Sequence, residues 1–156
     1  MAFAFYFFVS WLITFIFVIM PKKLSFMQNS FVFLLILMIS INWSWIIYEE
    51  LKFIKLSTEV MDYTAFIINR SIVIPLTIVI TMNLLKISKS FRRSIVVLVL
   101  STSFLSLLAL GGMYFNVTKY MNWNFAFDII YFLLLNIFGY LILIGVNAME
   151  HKEVIN

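Results

Sequence analysis

A chain of 156 residues that is 64% apolar and only 12% charged departs from the roughly half-apolar, quarter-charged make-up of soluble domains, and the excess has to face lipid. With no cysteine in the chain, disulfides, thiolate nucleophiles, zinc–thiolate sites and iron–sulfur ligation are excluded; the single histidine, His151, falls in a polar tail suited to solvent, so no cofactor is expected. The formal charge of +4 is not a nucleic-acid footprint, because the basic residues sit in short clusters between apolar runs, where they orient the chain.

Crossing a hydrocarbon core of about 30 Å takes roughly 20 apolar residues in a helix. Residues 2–20 form the first such run. It lacks the basic start and small-residue cleavage site of a secretory signal, and its Lys22 and Lys23 come after the apolar stretch, so it reads as a retained span. Residues 31–48 form the second. The connection that follows, "EELKFIKLSTEVMDY", mixes charge with apolar residues and predicts a short interfacial segment over about 49–64. Within it Ser57 or Thr58 is placed to cap the next helix, with Glu59 in the first turn. Residues 65–85 make a third span only if Arg70 is tolerated, and Pro75 predicts a kink there that leaves the carbonyl near Ser71 free. The fourth run, 94–115, ends in "LGGMYF", where Gly111 and Gly112 suit close packing or helix termination. "NVT" at 116–118 matches a glycosylation triplet, a short and common pattern. Residues 128–148 complete five spans. Trp11, Trp43, Trp45 and Trp123, with numerous tyrosines, suit interfacial anchoring.

The connections decide for Arg70. If all five runs cross, Lys22, Lys23, the basic residues of "KISKSFRR" and the C-terminal tail share one side. Dropping the third run would split the two basic connections between opposite faces, against the positive-inside pattern. The expected fold is therefore all-α, an integral membrane bundle of five transmembrane helices in a single domain, N-terminus outside and C-terminus cytoplasmic.

At 100° per residue Arg70, Thr77 and Thr81 fall within about 40° of one another on the third helix. The same arithmetic groups Asn42, Trp45 and Glu49 on the second, Thr102, Ser106 and Ala109 on the fourth, and Asn136, Tyr140 and Asn147 on the fifth. Each is a candidate interior face, since polar side chains in hydrocarbon find partners on neighbouring helices and small residues let backbones approach. With the third helix starting at 65, Arg70 lies some 7 to 8 Å below its outer end, level with Glu49, Glu50, Asp62 and Asp128. Asp128 is also favoured by the dipole at the start of its helix. The candidate polar cluster is Arg70, Glu49, Asp128, Asn42 and Thr77, acting as an outward-facing site or an interhelical clamp, with Arg70 as a snorkelling anchor the remaining alternative. The adjacent Glu49 and Glu50 point about 100° apart, which suits a solvated face better than an acid–base pair; no catalytic or metal residues are assigned.

The basic turn "MPKK", the stretch "EELKFIKL", "RSIVIPLTIV" in the third span and the aromatic "YMNW" before the last resemble, in their order, small and largely uncharacterised multi-spanning membrane proteins of spore-forming Firmicutes. The resemblance implies a bacterial cytoplasmic-membrane setting and carries over no activity. From the residues themselves the expected function is non-catalytic: an accessory, assembly or immunity-type protein acting through packing with lipid, a membrane-protein partner or a second copy of itself, with no nucleic acid involved. The alternatives are a transporter or channel component with its polar site around Arg70, and an enzyme acting on a lipid-linked substrate with Glu49 or Asp128 as base.

Overall fold

Five helices and one two-stranded sheet make up the structure, a computed structural model that describes residues 1–88 and 90–153, with side chains through Met149. Lys89 of the third connection and the side chain of His151 lie outside the described residues. The helices are α1 (Ala2–Ile19), α2 (Phe26–Glu50), α3 (Val60–Ile87), α4 (Phe91–Tyr114) and α5 (Phe125–Glu153). All five are long and apolar enough to cross a membrane.

Four of them begin earlier than their hydropathy predicts, α4 and α5 by three residues and α2 and α3 by five. At α2 the reason is a capping box: Ser25 Oγ accepts from the Gln28 backbone N–H, and Gln28 Oε1 accepts from the Ser25 N–H, each at 3.1 Å. The polar residues that made 26–30 look like a loop point inward instead. Gln28 and Asn29 are buried, and Gln28 Nε2 donates to Asn147 on α5 at 2.8 Å. At α3 the cap position falls on Glu59 and not on Ser57 or Thr58. Ser57 Oγ still contributes, accepting from the Glu59 N–H and donating to Asp62.

The connection over 49–64 is not a single interfacial segment. Its first residues continue α2, its last begin α3, and between them β1 (Ile54–Leu56) pairs antiparallel with β2 (Thr118–Tyr120), Ile54 opposite Tyr120 and Leu56 opposite Thr118. Alternation along the strands turns Ile54, Thr118 and Tyr120 to the bundle, while Lys55 and Lys119, opposite each other, are exposed. Asn116, in the left-handed conformation at φ 57°, makes the turn from α4 into β2. Pairing the α2–α3 and α4–α5 connections places them at one end, the strand end, as five successive crossings require.

Helix α3 is the axis of the bundle. Over half of its apolar window is buried, against 28–39% for the other four, because α1, α2, α4 and α5 all pack on it. Gly139 on α5 lets α3 approach: a Cβ there would lie 2.7 Å from Ile78 Cγ2. The predicted inner faces hold on α3, where Thr77 and Thr81 are buried, and on α4, where Thr102 and Ser106 are. On α5 Asn136 is fully buried but Tyr140 is half exposed. On α2 the face is the wrong one: Asn42, Trp45 and Glu49 are exposed, and Ser40, Ser44 and Ile47 are buried in their place. Asn42 needs no neighbour, since its amide donates to the Met38 carbonyl one turn back at 2.8 Å.

Candidate functional site

Both α2 and α3 widen near the strand end. Over Trp45–Glu50 and Asn69–Val73 the backbone bonds run five residues back: Leu51 N–H donates to Ile46, and Ile74 N–H to Asn69. Such π turns insert one residue into a helix, and they concentrate at functional sites. In α3 the turn immediately precedes Pro75, whose ring would crowd the Ser71 carbonyl in an unbroken α-helix and whose missing N–H leaves it without an α-helical donor. The expected kink is thus taken up by a wide turn, and that turn carries Asn69 and Arg70. The turn in α2 carries Tyr48.

These residues border a small cavity of about 60 Å³, lined from all five helices and both strands. Arg70 and Asn69 enter from α3, Tyr48 and Trp43 from α2, Tyr6 from α1, Thr118 and Tyr120 from β2, Trp123 from the turn before α5, and Asp128 and Tyr131 from α5. The walls are aromatic: Trp43 stacks on Tyr131 with centroids 4.8 Å apart and planes within 8°, and meets Trp123 edge-on at 6.4 Å. Tyr6 ties α1 to α4, donating to the Leu108 carbonyl at 2.6 Å. Below it Gly112 keeps the wall thin, since a Cβ there would stand 3.1 Å from Thr118 Oγ1 and 3.3 Å from the Tyr6 hydroxyl.

The two charges in the cavity are treated differently. Asp128 is buried, and each carboxylate oxygen has a donor: the Tyr120 hydroxyl on Oδ2 and Trp123 Nε1 on Oδ1, the latter at 2.9 Å. Burial, then the bond to Asp128, raises the pKa of the Tyr120 phenol and keeps it a donor. Arg70 has no such provision. Among the described residues it makes no hydrogen bond or ion pair, and its Nε is buried without a partner; its guanidinium lies over the Phe66 ring, 5.4 Å from the centroid. The neighbouring Asn69 Oδ1 is likewise buried and unpartnered.

Of the five residues in the predicted cluster, the structure brings two together, Arg70 and Asp128, which line one cavity without a hydrogen bond or ion pair between them. Glu49 is exposed and borders a separate surface groove with Lys52 and Lys55. Asn42 faces outward. Thr77 is buried but spends its hydroxyl on the Val73 carbonyl at 2.7 Å and does not reach the cavity. Arg70 also lies ten residues beyond Val60, about 15 Å along the helix and twice the expected depth. It remains level with Tyr6 near the start of α1 and Asp128 near the start of α5 because α3 projects past them. The aromatic walls escaped sequence reading, where Trp43 and Trp123 pass for interfacial anchors; the usable signal was Tyr120 and Trp123 shortly before a membrane-depth aspartate.

Comparison of the chain with protein-family models, curated proteins and solved structures gives no match.

Proposed function

We propose that this is a multi-pass protein of the bacterial cytoplasmic membrane, N-terminus outside and C-terminus cytoplasmic, that works without catalysis by holding a small polar ligand in the cavity at its outer face. It belongs by this reading with accessory, assembly or immunity-type proteins, which bind and report instead of transforming. The observation that carries it is Arg70. A charge at membrane depth is costly and ordinarily marks a functional site, and here Arg70 lines a cavity with no hydrogen-bond or ion-pair partner among the described residues while each oxygen of the nearby carboxylate is held by another group. A clamp would pair the two directly.

The chain has no cysteine, so single cysteines report cleanly. In right-side-out vesicles, Ala109→Cys, on the cavity wall, is expected to be labelled by silver ion added outside, a single-atom thiol reagent that a cavity of about 60 Å³ admits. Leu107→Cys, 65% exposed on the apolar surface of α4, is expected to stay unlabelled. Protection of Ala109→Cys from the outside reagent removes this reading.

A second reading, a transport component, is favoured by a groove of about 580 Å³ at the opposite end, which reaches Asn136 and includes Lys86 and Asn147. Between Tyr131 in the cavity and Asn136 in the groove, α5 turns through the buried Phe132 and Leu135, so passage requires that plug to move. In proteoliposomes under a potassium diffusion potential, this reading expects proton flux that is lost in folded Arg70→Ala. Flux absent from the parent protein, or unchanged by the substitution, counts it out.

A further inference from the structure

The open hydrogen-bonding groups of the cavity define what fits it, and we infer that its ligand is a phosphate-class oxyanion that keeps one O–H, either free phosphate or the phosphomonoester of a lipid headgroup. The inference rests on the cavity being a binding site reached from outside.

Size comes first. A water needs about 10–15 Å³ of such volume, and an apolar cavity of about 150 Å³ takes a benzene ring. At about 60 Å³ there is room for roughly four to six small heavy atoms and none for a ring, sugar or amino-acid side chain. One tetrahedral oxyanion group fills it.

Charge and donor pattern narrow the class. Among the described residues the charged groups on the walls are Arg70 and Asp128, and each oxygen of the carboxylate already has a donor, Tyr120 or Trp123. What is left open is a guanidinium donor, and guanidinium is the side chain best matched to phosphate and carboxylate oxygens. Beside it on the same π turn, Asn69 leaves its amide oxygen unpartnered. Asn69 lines the cavity, so a turn of its amide brings that oxygen to the ligand, and an oxyanion with an O–H then supplies acceptors to Arg70 and a donor to Asn69, where a fully deprotonated one supplies only the first. Finally, the polar groups converge from separate directions, Arg70 and Asn69 from α3, Tyr48 from α2 and Thr118 from β2. That arrangement suits a tetrahedral group and not the two coplanar oxygens of a carboxylate.

The test uses the full chain in phosphatidylcholine nanodiscs and reads melting temperature. In one arm inorganic phosphate is titrated against sulfate, which has the same shape and no proton at neutral pH. In the other, phosphatidic acid replaces a tenth of the lipid, with phosphatidylglycerol, a diester without a P–OH, as the comparator. The expected result is a saturable rise with phosphate, with phosphatidic acid, or with both, the responding arm naming the source. Sulfate or phosphatidylglycerol should be at least fivefold weaker. Half-saturation should move at least tenfold in Arg70→Met and at least threefold in Asn69→Leu, two variants whose own melting curves report folding. No rise in either arm, a rise undiminished in Arg70→Met, or equal response to sulfate and phosphatidylglycerol overturns the inference. If Ala109→Cys is labelled from outside while phosphate does nothing, the ligand class alone has failed; if neither responds, the binding reading has failed with it.

Discussion

Asn83→Leu is expected to cost on the order of 3 kcal/mol and to lower the melting temperature in detergent by roughly 10 °C. The residue is fully buried on α3 one turn before its end. Its amide oxygen accepts from the backbone N–H of Lys23 at 2.9 Å and of Leu24 at 3.1 Å, and its nitrogen donates to Asn29 Oδ1 at 2.7 Å and to the Val79 carbonyl at 2.9 Å. One side chain thus ties the α1–α2 turn to the central helix. Leucine matches the volume but strands the part-buried Lys23 N–H and the buried Leu24 N–H and Asn29 amide oxygen, and each orphaned buried group costs about 1–3 kcal/mol. Asn29→Ala removes donors to the Leu24 and Ser25 carbonyls and should cost less. Because Asn29 and Asn83 share a hydrogen bond, the double variant should fall short of the sum of the two by about 0.5 kcal/mol or more. Thermal or denaturant unfolding of the three variants checks this, and strict additivity would show that the two amides act separately.

That network shows what can be read from a membrane sequence and what cannot. Apolar length finds the five helices, because the bilayer imposes one requirement on all of them. It misplaces their ends wherever polar side chains serve the interior: "MQNS" at 27–30 looks like a loop, yet Gln28 and Asn29 are buried partners of Asn147 and Asn83. The strand pair was out of reach for a different reason. Three-residue strands carry no periodic signal, and their register depends on two connections over sixty residues apart in the chain.

Facing arithmetic works while the helix is regular. It succeeded for Thr77 and Thr81 within α3, and for Thr102 and Ser106 on α4. It failed for Glu49, which lies within the wide turn over Trp45–Glu50, and for Asn42, whose amide closes on its own helix. Arg70 was found because an arginine in an apolar run stands out, and Asp128 because it begins a helix. The aromatic residues between them did not stand out in a chain that is 19% aromatic. Only the fold separates those on the exposed surface, such as Trp11 and Trp45, from Trp43 and Trp123 in the cavity.

The second large effect separates the two charges of the cavity. Asp128→Ala is expected to destabilise by about 2–4 kcal/mol, since it leaves the Tyr120 hydroxyl and the Trp123 indole N–H without their buried acceptor. It should also loosen the strand pair that Tyr120 terminates. Asp128→Asn keeps a carbonyl oxygen for one of the two donors and should lose about half as much. Arg70→Met should move stability by no more than about 1 kcal/mol, the scale of its contact with Phe66. Methionine gives up that contact but also removes a poorly solvated charge that lacks a partner. A direct clamp demands a different pattern: comparable losses for Arg70→Met and Asp128→Ala, with the second substitution adding little to the first. Melting curves of the two single variants and the double therefore decide between a site kept open for a ligand and a pair that serves only to hold helices together. A cavity that retains its full stability without the arginine has no use for it as a clamp, and that outcome favours the binding reading.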